Sequence, residues 1–279
     1  MLDIMDQAKS AIEAYNQELR TTSSNIANMS VIGYKRVGIS FQEVFNRVLV
    51  TGSGASSNNE FGGTNPLQSG GTAGIASLGI DFSQGQQGDG TNLSLAIQGQ
   101  GLFIVSPDDG TTKYYSRAGD FQRINGNLVT STGMQVYGLD DGGNLVPITG
   151  LTGDKYNPNN LSFDANGRLV EYTDTTWTEP PKNVTGFRIA LTYFNNPSGL
   201  EYVNGTSFKE TLASGSPVST LAPGAAAGTV APRRLEQSNV FYIGETIDAL
   251  NAQRAMSANL SIVSMVSNTI SQFINKIGS

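Results

Sequence analysis

From Met5 to Met29 the seam-forming side chains fall alternately three and four residues apart: Met5, Ala8, Ile12, Tyr15, Leu19, Thr22, Ile26 and Met29. That spacing draws one narrow stripe along a helix, the a/d seam of a coiled coil, while Lys9, Glu13, Gln17, Glu18 and Arg20 supply the wet faces. The predicted helix occupies residues 1–33, is roughly 40 Å long at about 1.5 Å per residue, and stops at Gly33. The last segment, 235–279, repeats the pattern. Met256, Val263, Val266, Ile270, Phe273 and Ile277 follow a heptad, Asn259 takes one seam position, and Ala249 and Ala252 continue the register while Ile247 and Leu250 lie beside it. Either end alone reads equally well as a terminal helix packed on its own domain. Two such ends around an unlike middle favour helices that pack against other helices.

The periodicity changes between them. After Phe41 to Phe45, the stretch from Thr51 to Gly74 is mostly Gly, Ser, Asn and Thr, so residues 34–78 are expected to form a linker region. Residues 79–212 then carry short β-rich runs: Leu93–Ile97, Leu102–Val105, Lys113–Ser116, Leu128–Thr130, Gln135–Tyr137, Leu161–Phe163 and Phe187–Tyr193. Asp108-Asp-Gly, Asn125-Gly, Asp140-Asp-Gly-Gly and Asn166-Gly punctuate them as hairpin turns, which makes the middle an antiparallel β domain. Residues 213–234, rich in Gly, Ala, Ser and Pro, read as a second linker. The fold class is α+β: long coiled-coil-type helices at both ends flank a central all-β domain.

A chain of 279 residues can bury a proper core. Its net charge of −6 is spread without long runs of either sign, a surface that repels nucleic acid. It has no Cys and no His, which removes disulfides, thiolate and imidazole metal sites and His-based acid/base catalysis. No metal site and no cofactor are expected. The acidic Met1–Asp6 lacks the basic and apolar regions of a cleaved signal, and no apolar run reaches the ~18 residues of a membrane span.

The remaining candidates for chemistry fail on spacing. Asp140-Asp-Gly-Gly-Asn and Asp164-Ala-Asn-Gly-Arg resemble calcium loops but lack the later ligands of an EF-hand, so they read as turns. Gly99-Gln-Gly101 and Gly52-Ser-Gly54 are too short for a dinucleotide fingerprint. Ser116, Arg117 and Asp120 cluster without a base to activate the serine. A peptidoglycan-acting hydrolase would need two carboxylates facing one cleft, and nothing in the spacing pairs Asp120, Asp164 or Glu171. No catalytic residue is assigned. A secreted adhesin subunit that uses its ends only for polymerisation is a further alternative.

Several blocks carry a specific resemblance. Asn25-Ile-Ala-Asn28, followed by Gly33-Tyr34-Lys35-Arg36 and Phe41, resembles the N-terminal signature of bacterial flagellar rod and hook proteins. Leu95 to Phe103, with Gly99 and Gly101, is similar to that family's central block. Tyr115-Ser-Arg117-Ala-Gly119-Asp-Phe121, with Asn125-Gly126, Leu128 to Thr130 and Gly133, is similar to the hairpin region after it, and Phe194 to Leu200 also matches. Leu235-Glu-Gln-Ser238-Asn239-Val240, then Gln253-Arg254-Ala255 and Asn259, is similar to the C-terminal signature. Departures are Val31 for Thr, Ser94 for Asp, Leu102 for an aromatic, and an unusually apolar Phe241–Gly244.

The resemblance implies a structural subunit of the flagellar axial tube, with terminal helices in its inner layers and the β domain outside. It implies a homo-polymer bounded by adjacent rod, hook and junction proteins and by surrounding ring proteins, in the periplasm-spanning basal body or hook. Export would run through the type III apparatus without a cleaved signal. One β domain without an insert favours a distal-type rod protein; a short hook protein is the alternative. A narrow seam is marginal on its own, so folding of the ends is expected to be coupled to assembly.

Overall fold

The structure, a computed structural model, describes residues 2–43, 47–52, 65–69, 73–152, 157–173, 181–218, 222–224 and 227–277. It has the α+β plan: helix α1 (Leu2–Ala27), a succession of strands, and helix α2 (Tyr242–Ile277). Two compact units result, one comprising Met1–Ile26, Val37–Gly79 and Tyr242–Ser279, the other Ala27–Arg36 and Ile80–Phe241.

The second unit is built on an antiparallel sheet. Its order runs Leu161–Phe163, Arg168–Glu171, Asn183–Ile189, Gln135–Leu139, Leu102–Ser106, Tyr114–Ser116, Ser207–Lys209, Glu201–Asn204. Leu102–Ser106 is buried along its whole length because apolar side chains pack on both of its faces. Alternation sends Phe103 and Val105 to one core, with Phe121, Leu128, Phe163 and Leu169, and sends Leu102 and Ile104 to the other, with Tyr115, Tyr137, Phe194 and Phe208. Phe103 and Phe121 meet edge to face at 5.0 Å. The expected hairpin at Asn125-Gly126 joins Gln122–Ile124 to Asn127–Val129, with both turn residues at positive φ as a type I′ turn requires.

Where the chain crosses itself most closely there is no room for a side chain. A Cβ on Gly119 would lie 1.7 Å from the Leu95 carbonyl oxygen, while the Leu95 amide donates to the Gly119 carbonyl at 3.0 Å.

The linker boundaries need correction. In the 34–78 segment, Tyr34 and Lys35 are buried in the β unit, Val37–Glu43 pairs with Ala73–Ile80, and Arg47–Val50 pairs with Leu67–Ser69. The part of that linker falling on 44–46, 53–64 and 70–72 lies outside the described residues. In the 213–234 segment, Thr229–Pro232 pairs with Leu95–Gln98, and Ser214, Ala227 and Val230 are buried. These strands are short or interrupted by Gly, Ser and Pro, as in Val37–Glu43, Ala73–Ile80 and Thr229–Pro232, so they leave no sustained apolar alternation to read. The ends are also shorter than expected. The first helix ends at Ala27 rather than Gly33, and residues 235–240 are a strand end and extended chain ahead of α2. Among the described residues no helix is long and apolar enough to cross a membrane.

Gly119→Ala is expected to destabilise the β unit by about 3 kcal/mol or more, through overpacking against backbone. Gly79→Ala, where an added Cβ meets nothing within 4 Å, is expected to change stability by less than about 1 kcal/mol. Urea unfolding of the two variants side by side tests the contrast.

Candidate functional site

In the β unit, residues far apart in sequence converge on one dry site. Gly33 turns the chain at φ +70° with its α-carbon so close to the next segment that a Cβ would lie 2.4 Å from the Ala118 nitrogen. Its amide donates to the Glu236 carbonyl at 2.8 Å. Tyr34 stacks on Tyr202 at 5.9 Å, and the Tyr202 hydroxyl accepts from the Lys35 amide at 3.2 Å and donates to the Lys35 carbonyl. This brings the Lys35 side chain into the interior at 0% exposure.

There the Lys35 ammonium donates to Glu236 Oε1 at 2.6 Å and to the Ser83 carbonyl at 2.7 Å. Arg117 donates from Nη1 to Glu236 Oε2 at 3.0 Å, and from its guanidinium to the carbonyls of Ile97 and Gly99. The Gly85 amide adds a further donor to Glu236 Oε1 at 3.0 Å. Two cations thus share one carboxylate and also donate to backbone carbonyls, while the Arg117 Nε is buried without a hydrogen-bond partner. Burial pushes the Lys35 and Arg117 pKa values down, and Glu236 pulls each back up.

Around this triad the C-terminal motif fastens the N-terminal one. Asn239 accepts from the Arg36 amide at 2.7 Å and donates to the Asp81 and Ser83 carbonyls at 2.9 and 3.1 Å. Ser238 accepts from the Val240 amide at 3.2 Å, Leu235 pairs with Gly88, and Val240 is half-buried. Gly101 is buried at φ +138°, Gly99 supplies a carbonyl to Arg117, and Phe103, Gly119 and Phe121 form the wall of the core behind. Glu236 itself was not among the residues singled out in the sequence. The available signal was a lone acid inside a motif whose partners, Lys35 and Arg117, are both cationic.

The helical unit has its own junction. Asn25, 1% exposed, donates to the Val37 carbonyl at 2.9 Å and to Glu245 Oε2 at 3.0 Å, and accepts from the Val37 amide at 3.1 Å. It ties the end of α1 to the first strand and to the first turn of α2, where Glu245 is buried. Phe41 contacts the Tyr15 ring at 5.7 Å.

The seam residues divide into classes. On α1, Ala8 is buried and Met5, Ile12, Tyr15, Leu19 and Ile26 are half-buried, while Ala14 and Asn25 are buried on the flank, so the covered face is wider than an a/d stripe. Met29 is not on the helix at all. It is exposed beyond the Ala27 end, so its place in the seam is corrected; Asn28 lies in the same turn, its carbonyl accepting from Val31. On α2, Met256, Asn259, Val263, Val266 and Ile270 are half-buried, and Gln253 and Arg254 are exposed. Asn259 turns back to the Ala255 carbonyl at 2.9 Å. Beyond Ile270 cover ceases: Phe273, Ile274 and Ile277 are 61%, 62% and 71% exposed. With 36 residues against 26, α2 is longer than α1 by ~15 Å.

Of the other acidic candidates, Asp140 and Asp164 hold turns, Glu171 reaches across to the start of a 3-10 turn, and Asp120 has a carboxylate oxygen buried without a hydrogen-bond partner. Asp164 accepts from the Asn166 and Arg168 amides, Asp140 from Asn144, and Glu171 from the Asn157 amide. Among the described residues no group of three or more Asp and Glu could hold a metal ion.

Residues 96–169 match the family described as the flagellar hook protein FlgE/F/G D1 domain, and residues 5–35 match the flagella basal body rod protein family. The chain is similar to the flagellar basal-body rod protein FlgG of Bacillus subtilis, 28% identical over 99% of both chains. It is 30% identical to the FlgG of Caulobacter vibrioides over 92% of both. It is 34% identical to the flagellar hook protein FlgE of Helicobacter mustelae, over 50% of this chain and 31% of the hook protein.

Glu236→Gln leaves two buried cations without their counter-charge and is expected to cost about 3–5 kcal/mol in urea unfolding. A second expectation concerns Glu18, whose pKa is raised, first by burial and then by Asp248. Folded chain therefore holds that proton more tightly than unfolded chain. The stabilisation is fully present below the unfolded pKa and is lost as pH rises through the raised value. Glu18→Gln should melt higher than the parent at pH 7, followed by helical circular dichroism, with the difference vanishing towards about pH 4.

Proposed function

This chain belongs to the flagellar basal-body rod protein family, and from that premise we propose that it is a structural subunit of the flagellar axial tube. In this reading many copies pack their terminal helices into a helical polymer that transmits motor torque. The observation that carries it is the uncovered apolar end of α2 at Phe273, Ile274 and Ile277, together with half-covered seams on both helices. Apolar surface of this kind is stabilised by burial at roughly 25 cal/mol per Å², which neighbouring helices supply and a single copy does not. Identical subunits joined through unlike surfaces whose rotation does not close extend indefinitely as a filament. No catalytic step belongs to this reading.

The seam residues Met5, Ala8, Ile12, Tyr15, Leu19, Ile26, Met256, Val263, Val266, Ile270, Phe273 and Ile277 form the proposed contact set between copies. Adjacent rod, hook and junction proteins would continue the same helical packing at the ends of the polymer. Surrounding ring proteins would meet the β unit, and the type III export apparatus would deliver the chain. A hook subunit is the second reading, favoured by the 34% identity to a hook protein over half of this chain. The rod reading is preferred because similarity to rod proteins extends over nearly the whole of both partners.

Polar substitution at Ile12, Leu19, Ile26, Val266 or Ile270, for example Val266→Asp, is expected to abolish polymerisation and motility and to leave the near-ultraviolet spectrum of the β unit unchanged. Normal motility in such variants would defeat the helical-seam mechanism. Electron microscopy of tagged protein in isolated basal bodies distinguishes rod from hook.

A further inference from the structure

Asparagine followed by glycine occurs three times in the β unit, at 125–126, 166–167 and 204–205, and each pair sits where one strand turns into the next. The dipeptide is chemically reactive. Glycine has no Cβ to shield its amide nitrogen, so that nitrogen can attack the asparagine side-chain carbon once the two are brought together. The three sites differ in what holds the nitrogen.

At 166–167 the Gly167 amide donates to the Asp164 carbonyl at 3.0 Å and the Asn166 amide to Asp164 Oδ1 at 2.9 Å. Gly167 is also buried, so close to its neighbours that a Cβ would lie 2.7 Å from Ile189 and Pro223 side-chain atoms. At 125–126 the backbone is fixed at φ +51° and +80°, Gly126 is buried against Leu151 and Thr152, and its carbonyl accepts from the Leu151 amide at 2.8 Å. Both turns are clamped at the glycine.

The third is open. Asn204 and Gly205 are exposed, and a Cβ on Gly205 would meet nothing within 4 Å. Among the described residues neither the Asn204 side chain nor the Gly205 amide has a hydrogen-bond partner. Glu201–Asn204 is the end strand of the sheet, and its pairing slips at Val203, since Tyr202 faces Phe208 while Asn204 faces Ser207. A bulge there loosens the strand end, whereas the far side of the turn is anchored by the Thr206 carbonyl, which accepts from Ser116 Oγ at 3.0 Å.

We propose that Asn204 is a site of spontaneous deamidation in the folded protein. The Gly205 amide nitrogen gives its proton to solvent base and bonds to the Asn204 side-chain carbonyl carbon. The bond from that carbon to the side-chain nitrogen breaks, and ammonia leaves with a proton taken from water. Water then opens the cyclic imide at either carbonyl, leaving aspartate or isoaspartate at position 204. No group is oxidised or reduced. The end strand gains a negative charge, a kind of group that guards an unpaired edge.

Full-length protein is incubated at mildly alkaline pH and physiological temperature and digested, and its three Asn-Gly peptides are followed by mass spectrometry, with isoaspartate methyltransferase labelling to score the rearranged form. Asn204 should convert at least about tenfold faster than Asn125 and Asn166 in the folded chain, and the three rates should become similar in urea, where no turn is protected. Gly205→Asn, whose side chain tolerates the φ of +57° but crowds the nitrogen, should slow conversion at 204 by about tenfold. Conversion of Asn204 no faster than that of Asn166, the same lead retained in urea, or an unchanged rate in Gly205→Asn overturns the proposal.

Discussion

A charged group taken out of water must find its opposite charge there, and that requirement organises the β unit. Lys35, Arg117 and Glu236 are drawn from the beginning, middle and end of the unit, and none has access to solvent beyond 3%. Lys35 and Arg117 can each be buried only if Glu236 arrives. The close passage of Gly33 over Ala118, the Tyr34–Tyr202 stack and the Asn239 bonds to Arg36, Asp81 and Ser83 are the local conditions that let them arrive. Residues 33–36 and 235–240 are thereby fastened to each other within the β unit.

The two units divide their labour by the kind of interaction they use. The β unit is largely complete in itself: its apolar side chains fill two cores, and its buried Lys35 and Arg117 pair with Glu236. The helical unit is satisfied only in part. Asn25 and Glu245 fix its junction, but much of its apolar surface stays half-covered or open. A folded module joined to an incomplete one is suited to a subunit whose order is finished by its neighbours.

Periodicity made the helices and some of the strands legible, since Leu102 to Val105 and the heptads at Ile12 and Val263 depend on side-chain spacing alone. It could not show where α1 stops. Met29 continues the spacing for one more step after the backbone has left the helix at Ala27. Strands such as Ala73–Ile80 and Thr229–Pro232 were hidden because they are short or interrupted by Gly, Ser and Pro. The motif residues Gly33, Lys35 and Arg117 stood out as a pattern, but their purpose was invisible. Glu236 looks like any strand-edge acid until the chain brings Lys35 back across 201 positions.

That separation bears on the order in which the molecule acquires its shape. Arg117 lies 119 positions and Lys35 201 positions from the acid they share. The loops they close are among the longest the chain can make, and their closure entropy must be met before the pairing rewards it. A chain that emerges amino-terminus first carries Lys35 and Arg117 as solvated cations without their counter-charge until nearly all of it has appeared. Glu236 then acts as a latch, and the β unit passes from a collection of hairpins to a closed body only when its last strand comes within reach.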